Sequence, residues 1–319
     1  MTTYILRRCF QALIVLVLVT LLVFFVMRLL PGDPLLIYIG QQSSVQAMPP
    51  EQVAMLRHQF GLDQSLPMQY FHWIGGIVHG DFGESIYYHE HVSTLLGERF
   101  PVTLYIGILS LVFGAITGIL IGGWAGIRQF RWPDRIITPI TYISITIPVF
   151  WLGILMIYLF ALKLEWFPVS GYVGPTTNLL SSLHHVAMPV FCMSLFSIAA
   201  NARQMRSSML EVISQDYIRT AWSKGLSERR VILKHALKNS LIPVITLIGV
   251  GVGMVFAGSV LIETVFAIPG VGRLLVSSIF GQDYVVVQAI TLVISLAILV
   301  VNLLVDISYG WFDPRIRYG

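Results

Sequence analysis

The chain has 319 residues, 56% of them hydrophobic and 11% charged, with a mean hydropathy of +0.78. Soluble globular domains carry about 25% charged residues, so this composition excludes one and specifies an integral membrane protein. The formal net charge is +4, but the cations sit in loops between apolar segments. They form no basic–aromatic surface of the kind that holds nucleic acid.

Spanning helices need about 20 apolar residues. Runs of that kind occur near 9–30, 102–127, 137–162, 187–206, 240–262 and 286–308, which predicts an all-α fold of about six transmembrane helices. The first, from Phe10 to Met27, outruns a signal-peptide core, and Arg28-Leu29-Leu30-Pro31 follows it instead of a small-residue cleavage site. It reads as an uncleaved first helix, residues 1–30. The third run is long and contains Pro148, so a kink is expected there. Polar Ser and Asn residues dilute the fourth. Cys9 and Cys192 fall in or beside spanning segments and imply no disulfide framework.

Residues 31–100 are too polar to span. They open on Pro31-Gly32-Asp33-Pro34, allow a helix over 50–59, are interrupted at Gly61 and Pro67, and turn at Gly75-Gly76 and at Gly80-Asp81-Phe82-Gly83. They read as a small folded insertion. In the second spanning run, Gly114, Gly118, Gly122 and Gly126 recur every fourth residue and so share one helix face. Glycines so placed let another backbone approach closely. Packing within the chain, a subunit contact and a pathway wall are all compatible with them. Gly249 and Gly253 repeat the pattern in the fifth run.

Charge supplies the orientation. Arg7 and Arg8 precede the first helix, Arg128, Arg131 and Arg135 follow the second, and Arg315 and Arg317 close the tail. The loop 202–240 holds Arg203, Arg206, Arg219, Lys224, Arg229, Arg230, Lys234 and Lys238. The positive-inside rule then makes both termini and 202–240 cytoplasmic and places 31–100 outside.

The 202–240 loop divides at Gly225. Met205 to Lys224 can be helical, Gly225 suits a C-cap, Ser227 suits an N-cap and Glu228 suits the first turn that follows. Beyond it, Arg230, Lys234 and Lys238 share one face, and Leu233, Leu237 and Leu241 share another. Periodicity alone allows two readings: a helix lying on anionic lipid, or a helix held up to enter a groove of a soluble partner.

The residues Asp216-Tyr217-Ile218-Arg219-Thr220-Ala221…Lys224-Gly225-Leu226 and Leu241-Ile242-Pro243 resemble the cytoplasmic loop of binding-protein-dependent ABC importers, in particular the peptide/nickel permease branch. The general family pattern places a glutamate where Arg219 stands, and Trp222-Ser223 replace the branch's usual Arg-Ala. The similarity extends along the chain: Arg28 to Pro34, Gly61-Leu62-Asp63-Gln64, Gln69-Tyr70, Gly80-Asp81-Phe82-Gly83, Arg206 to Leu210, Glu263 to Phe266, Pro269 to Arg273 and Asp313-Pro314-Arg315. The resemblance implies a multi-pass permease of the bacterial inner membrane with its core over 101–319. It also implies a homologous second permease, two ATP-binding cassette subunits that carry ATP and Mg²⁺, and an extracytoplasmic solute-binding protein. Coupling to the ATPases would fall to Arg219, Thr220, Ala221, Gly225, Ser227 and Glu228, which would pack into an ATPase groove and set a hinge.

The chain has no G-x-x-x-x-G-K-[ST] run that could cradle phosphates, so no cofactor of its own and no catalytic residue is expected. It also lacks H-E-x-x-H and G-x-S-x-G, the marks of an intramembrane enzyme. A self-sufficient secondary transporter would want mid-membrane charges and an inverted repeat. The spanning runs are nearly free of charge. Substrate expectations are di- or oligopeptides, with a glutathione-like peptide or a nickel chelate as alternatives. Seven of the eight histidines fall on the side read as external, without helical i, i+4 ligand spacing, so no metal site is named. Glu263, at one end of the fifth run, is either a functional ionisable group or a residue bonded to its own loop. Asp306 is expected at the membrane interface.

Overall fold

The computed structural model describes residues 2–29 and 63–312, together with 51, 54, 55 and 58. The expected helix over 50–59, the Pro31–Pro34 motif, Gly61-Leu62 and the Asp313–Arg315 tail lie wholly or mostly outside those residues. The side chain of Asp306 does too. Among the described residues the chain is helical, with no strand. The helices are α1 (Thr2–Leu29), α2 (Leu66–Val78), α3 (Val92–Ile127), α4 (Trp132–Thr146) and α5 (Val149–Lys163). There follow α6 (Leu179–Ile213), α7 (Asp216–Ser223), α8 (Glu228–Val265), α9 (Val271–Phe280) and α10 (Tyr284–Phe312). Among the described residues five helices are long and apolar enough to cross a membrane, and the bent pair α4–α5 makes a sixth span if counted as one. Their outward faces are apolar, as lipid contact requires: Leu6, Phe10, Leu18 and Leu22 on α1 and Ile108, Ile116 and Leu120 on α3 are exposed.

Local chemistry explains where helices begin and end. Pro67 lies in the first turn of α2, where its missing N–H costs nothing. It therefore starts a helix instead of interrupting one, and Gly75-Gly76 lie within it. The turn after α2 is as expected. Gly80 and Gly83 have φ of 81° and 85°, and the Asp81 carboxylate accepts from the Gly83 N–H at 2.9 Å. Helix α6 starts at Leu179 because the Asn178 side chain accepts from the Ser181 N–H at 3.0 Å. The apolar run began only at 187, because Ser181, Ser182, His184 and His185 are helical but not hydrophobic. The third span is more than kinked. α4 stops at Thr146, and α5 leaves Pro148 at 104° to it. Proline removes the N–H that would have continued the ladder and disfavours α geometry at Ile147.

The chain divides into two compact units, Met1–Pro101 with Arg273–Leu303, and Val102–Gly272 with Leu304–Gly319. In the first, α2 packs on α1: buried Phe24 meets the rings of Tyr70 and Trp73, and Thr20 bonds the Tyr70 hydroxyl at 2.8 Å. Buried Asp283 accepts from the Ser85 hydroxyl at 2.5 Å, the Tyr87 N–H at 3.1 Å and the Val286 N–H at 3.3 Å. It thereby caps α10 and ties the segment after α2 to it.

In the second unit, one apolar cluster gathers Ile106, Val186, Met188, Cys192, Ile262 and Phe266. The other gathers Met205, Met209, Ile218, Ala221, Val231, Ala236 and Val244. The glycine face of α3 lies on α6. A Cβ on Gly114 would come within 2.8 Å of Ser197, one on Gly118 within 2.7 Å of Asn201, and one on Gly126 within 2.8 Å of Met209. One on Gly122 would fall on the backbone of Ala202. Packing within the chain accounts for all four glycines. Gly249 makes the same kind of approach to Val305 of α10. Glu263 is bonded across the bundle: its carboxylate accepts from the Thr103 hydroxyl of α3 at 2.6 Å, and Gly270 and Gly272, at the start of α9, close over it. The Thr103 hydroxyl in turn accepts from the Val271 N–H at 2.9 Å, so α3 joins Glu263 to the segment that follows it.

Candidate functional site

Two features of the second unit can act on other molecules: the short helix α7 and a cavity among α3, α4, α5, α6 and α8.

Helix α7 is set apart by a turn at Ser214-Gln215, so Met205–Lys224 is not one continuous helix. Gln215 is extended, and Asp216 brings a carboxylate to the first turn, where the helix dipole favours it. Ile218 is 1% exposed and Ala221 6%, and both sit in the cluster with Met205, Met209 and Val231. Their burial seats the helix, so Ala221 points inward. Arg219, Thr220, Trp222 and Ser223 point outward, with Tyr217 at the edge bonded to Asn239 at 2.9 Å. Arg219 pairs with Asp216 at 3.6 Å, but both side chains are well exposed and such a pair contributes little.

The C-terminus of α7 closes with two specific bonds. The Gly225 N–H donates to the Trp222 carbonyl at 2.9 Å and the Leu226 N–H donates to Ala221 at 3.4 Å. This is the Schellman pattern, completed by Leu226 joining the apolar cluster that holds Ala221. It requires a left-handed residue, and Gly225 supplies one with φ 71° and open space around it. Ser227 takes the extended N-cap conformation before α8, but its hydroxyl makes no capping bond. Its carbonyl instead accepts from Arg230 and Val231 at 2.9 and 3.1 Å. Glu228 opens α8 and is exposed.

Of Leu233, Leu237 and Leu241, which the spacing puts on one face, the last two are half-buried against the cluster and Leu233 is not. Residues Val231–Ala236 form a π-helical turn. One extra residue in a turn rotates everything before it by about 100°. The buried stripe is therefore Val231, Ala236, Ser240 and Val244, and Leu233 is exposed. Arg230, Lys234 and Lys238 are all exposed, as the spacing predicts.

The cavity has a volume of roughly 950 Å³. Its wall is mostly apolar, with Ser144, Ser197, Asn201, Arg203 and Gln204 among its polar members. The α4–α5 break borders it through Ile147 and Val149. Irregular backbone at membrane depth is tolerated where it lines such a space. Arg206, also on its wall, is neutralised: Nε and Nη2 donate to the Asp134 carboxylate at 2.5 and 2.9 Å. Asp134 also accepts from the Phe130 N–H and the Thr138 hydroxyl, both at 2.9 Å. Nothing local in the sequence marks Asp134 as more than an acid among Arg128, Arg131 and Arg135, and its partner lies 72 positions away. The sole hint was the Arg206 motif.

Four of the histidines are occupied locally. His58 bonds Asp63 at 2.7 Å, which raises the imidazole pKa and lowers that of the carboxyl through the hydrogen bond. His79, His184 and His185 bond backbone carbonyls.

Comparison with known proteins then places the chain. Residues 118–318 match the family described as binding-protein-dependent transport system inner membrane component, and residues 1–107 match its N-terminal counterpart. A putative peptide transport system permease of Brucella abortus is 40% identical over all of both chains. A probable peptide ABC transporter permease of Sinorhizobium fredii is 37% identical, and the glutathione transport system permease of Salmonella typhimurium 38%, again over both full lengths. An amino acid ABC transporter of known crystal structure shares the fold, with a TM-score of 0.51 at 13% identity over 70% of this chain and 94% of that one. With several membrane-spanning helices and full-length relatives of this kind, the chain belongs to the inner-membrane permease components of binding-protein-dependent transport systems.

Proposed function

We propose that this chain is one of two homologous permeases in an ABC importer of di- or oligopeptides. Two ATP-binding cassette subunits bind ATP and Mg²⁺ on the cytoplasmic side, and an extracytoplasmic binding protein delivers the solute to the other. Both termini and the 202–240 segment are cytoplasmic, and 31–100 faces outward. The observation that carries the reading is α7, a capped helix seated by Ile218 and Ala221 that turns Arg219, Thr220 and Trp222 outward. A short helix fixed at its base and free on its crest suits insertion into a partner's groove.

Arg219, Thr220 and Trp222 enter the cassette, Ala221 anchors the helix, and Gly225 holds its exit geometry. Ser227 and Glu228 start α8, which carries the motion of the docked helix into the bundle. ATP-driven closure of the cassettes then switches the bundle between inward-open and outward-open states. The full-length peptide- and glutathione-permease relatives support the peptide class.

The test is affinity purification from native membranes with mass spectrometry, and uptake of dialanine and reduced glutathione by the assembled complex. A second permease, two P-loop ATPases and ATP-dependent uptake of either probe are expected. A chain that purifies alone and transports without ATP overturns the reading in favour of a secondary transporter.

A further inference from the structure

Arg203 and Arg206 lie three residues apart on α6, and both line the cavity, but they are held differently. Arg206 is clasped by Asp134 through two bonds. Arg203 is exposed and has no carboxylate partner among the described residues. Its guanidinium lies over the Tyr142 ring, 5.4 Å from the centroid. Stacking occupies the face of a guanidinium and leaves its edge donors free. A cation held against an aromatic ring in a cavity, with donors to spare, fits a planar carboxylate.

A second, independent observation lies two residues away. Asn201 is 2% exposed and lines the same cavity. Its amide nitrogen donates to Ser197 at 3.0 Å, and its oxygen has no partner. A buried, unpaired amide oxygen is costly unless something else fills it. Gly118 fixes its position, because the Asn201 Cβ packs where a glycine Cβ would be. Polar and ionisable groups within spanning helices point as a rule to the substrate path.

We propose that this cavity holds the passing substrate by a carboxylate. The guanidinium edge of Arg203 donates to the carboxylate, and the free oxygen of Asn201 accepts an adjacent backbone N–H. Tyr142 keeps the Arg203 side chain extended across the wall. Arg206 takes no part, because Asp134 already satisfies it. The assignment rests on the peptide reading above and adds the group recognised and the residues that recognise it.

The test is weak-binding measurement by saturation-transfer NMR on the assembled importer in nanodiscs, without binding protein. The probes are dialanine against its C-terminal amide, and reduced glutathione against its glycyl ethyl ester. Uptake by wild-type proteoliposomes is run alongside. In the wild type at least one free acid should bind about ten-fold more tightly than its blocked partner, the size of one charge-assisted bond. Arg203→Gln should bring that ratio close to one, and Arg203→Lys should restore much of it. Asn201→Leu should weaken both members of the pair by about five-fold and leave their ratio unchanged, because both retain the backbone N–H. The ratio is read within one preparation, so differences in yield cancel. Peptide uptake with a ratio indifferent to Arg203→Gln overturns the site and leaves the peptide reading standing. Absence of both uptake and binding overturns both.

Discussion

Two sets of glycines in this permease serve opposite purposes. Along α3, Gly114, Gly118, Gly122 and Gly126 are needed because there is no room: α6 occupies the space a Cβ would take. At Gly225 there is ample room, and glycine is needed because φ is 71°. The first set fixes a seam that must not open. The second fixes the exit from the short helix α7. The same residue type therefore marks rigidity of packing in one region and backbone geometry in the other, and substitutions separate the two.

Gly122→Val should have the largest effect. It drives two methyls into the Ala202 backbone, and overpacking of this kind costs about 3 kcal/mol or more. The expected outcome is loss of monodisperse protein in detergent, read by size-exclusion chromatography. Normal yield would mean the seam can open. Ile218→Ala should come next, at about 3 kcal/mol for a fully buried side chain. Its damage should be local: the bundle survives, while ATP-dependent uptake and stimulated ATPase activity fall together. Asp134→Ala leaves Arg206 without its clasp. Arg206 keeps some solvent access, so about 2 kcal/mol of thermal stability is at stake. Restoration by the further change Arg206→Met would show that the cost lies in the orphaned charge.

Gly225→Val should cost about 1–2 kcal/mol through backbone strain alone. Gly225→Asn, which tolerates a left-handed φ, should stay near wild type in coupled transport. Equal, undiminished transport by both would remove the hinge from the account. Ser227→Ala should be the smallest, below about 0.5 kcal/mol, because its hydroxyl makes no cap bond. A loss of about 1 kcal/mol in a thermal melt, usual for a working cap, would contradict the local geometry.

The legible parts were those written in local pattern. Apolar runs located the spans, the four-residue glycine spacing located a packing face, and Gly225 announced the end of α7. The missed parts depended on context. Pro67 reads as a breaker in sequence and acts as a helix start, because a proline's effect turns on whether its N–H was needed. Leu233 leaves the packed side that Leu237 and Leu241 keep, because it lies in Val231–Ala236, where the helix widens to π geometry. Asp134 and Arg206 carry no local sign that they meet. Neither does Asn201, whose amide oxygen is left without a partner by packing that no local pattern reports. Of the proposed coupling residues, sequence grouped Ala221 with its neighbours. Packing separates it from them, inward among apolar side chains.

The central claim is that the crest of α7 enters a cassette subunit. The direct measurement is photo-cross-linking in the assembled importer, with p-benzoyl-phenylalanine in place of Trp222 and, as a control, in place of Trp124, which is exposed on α3. The account predicts that position 222 gives an adduct with the ATP-binding cassette subunit and position 124 does not. Adducts from position 222 with lipid alone would contradict it, and would make α7 a helix lying on the membrane surface.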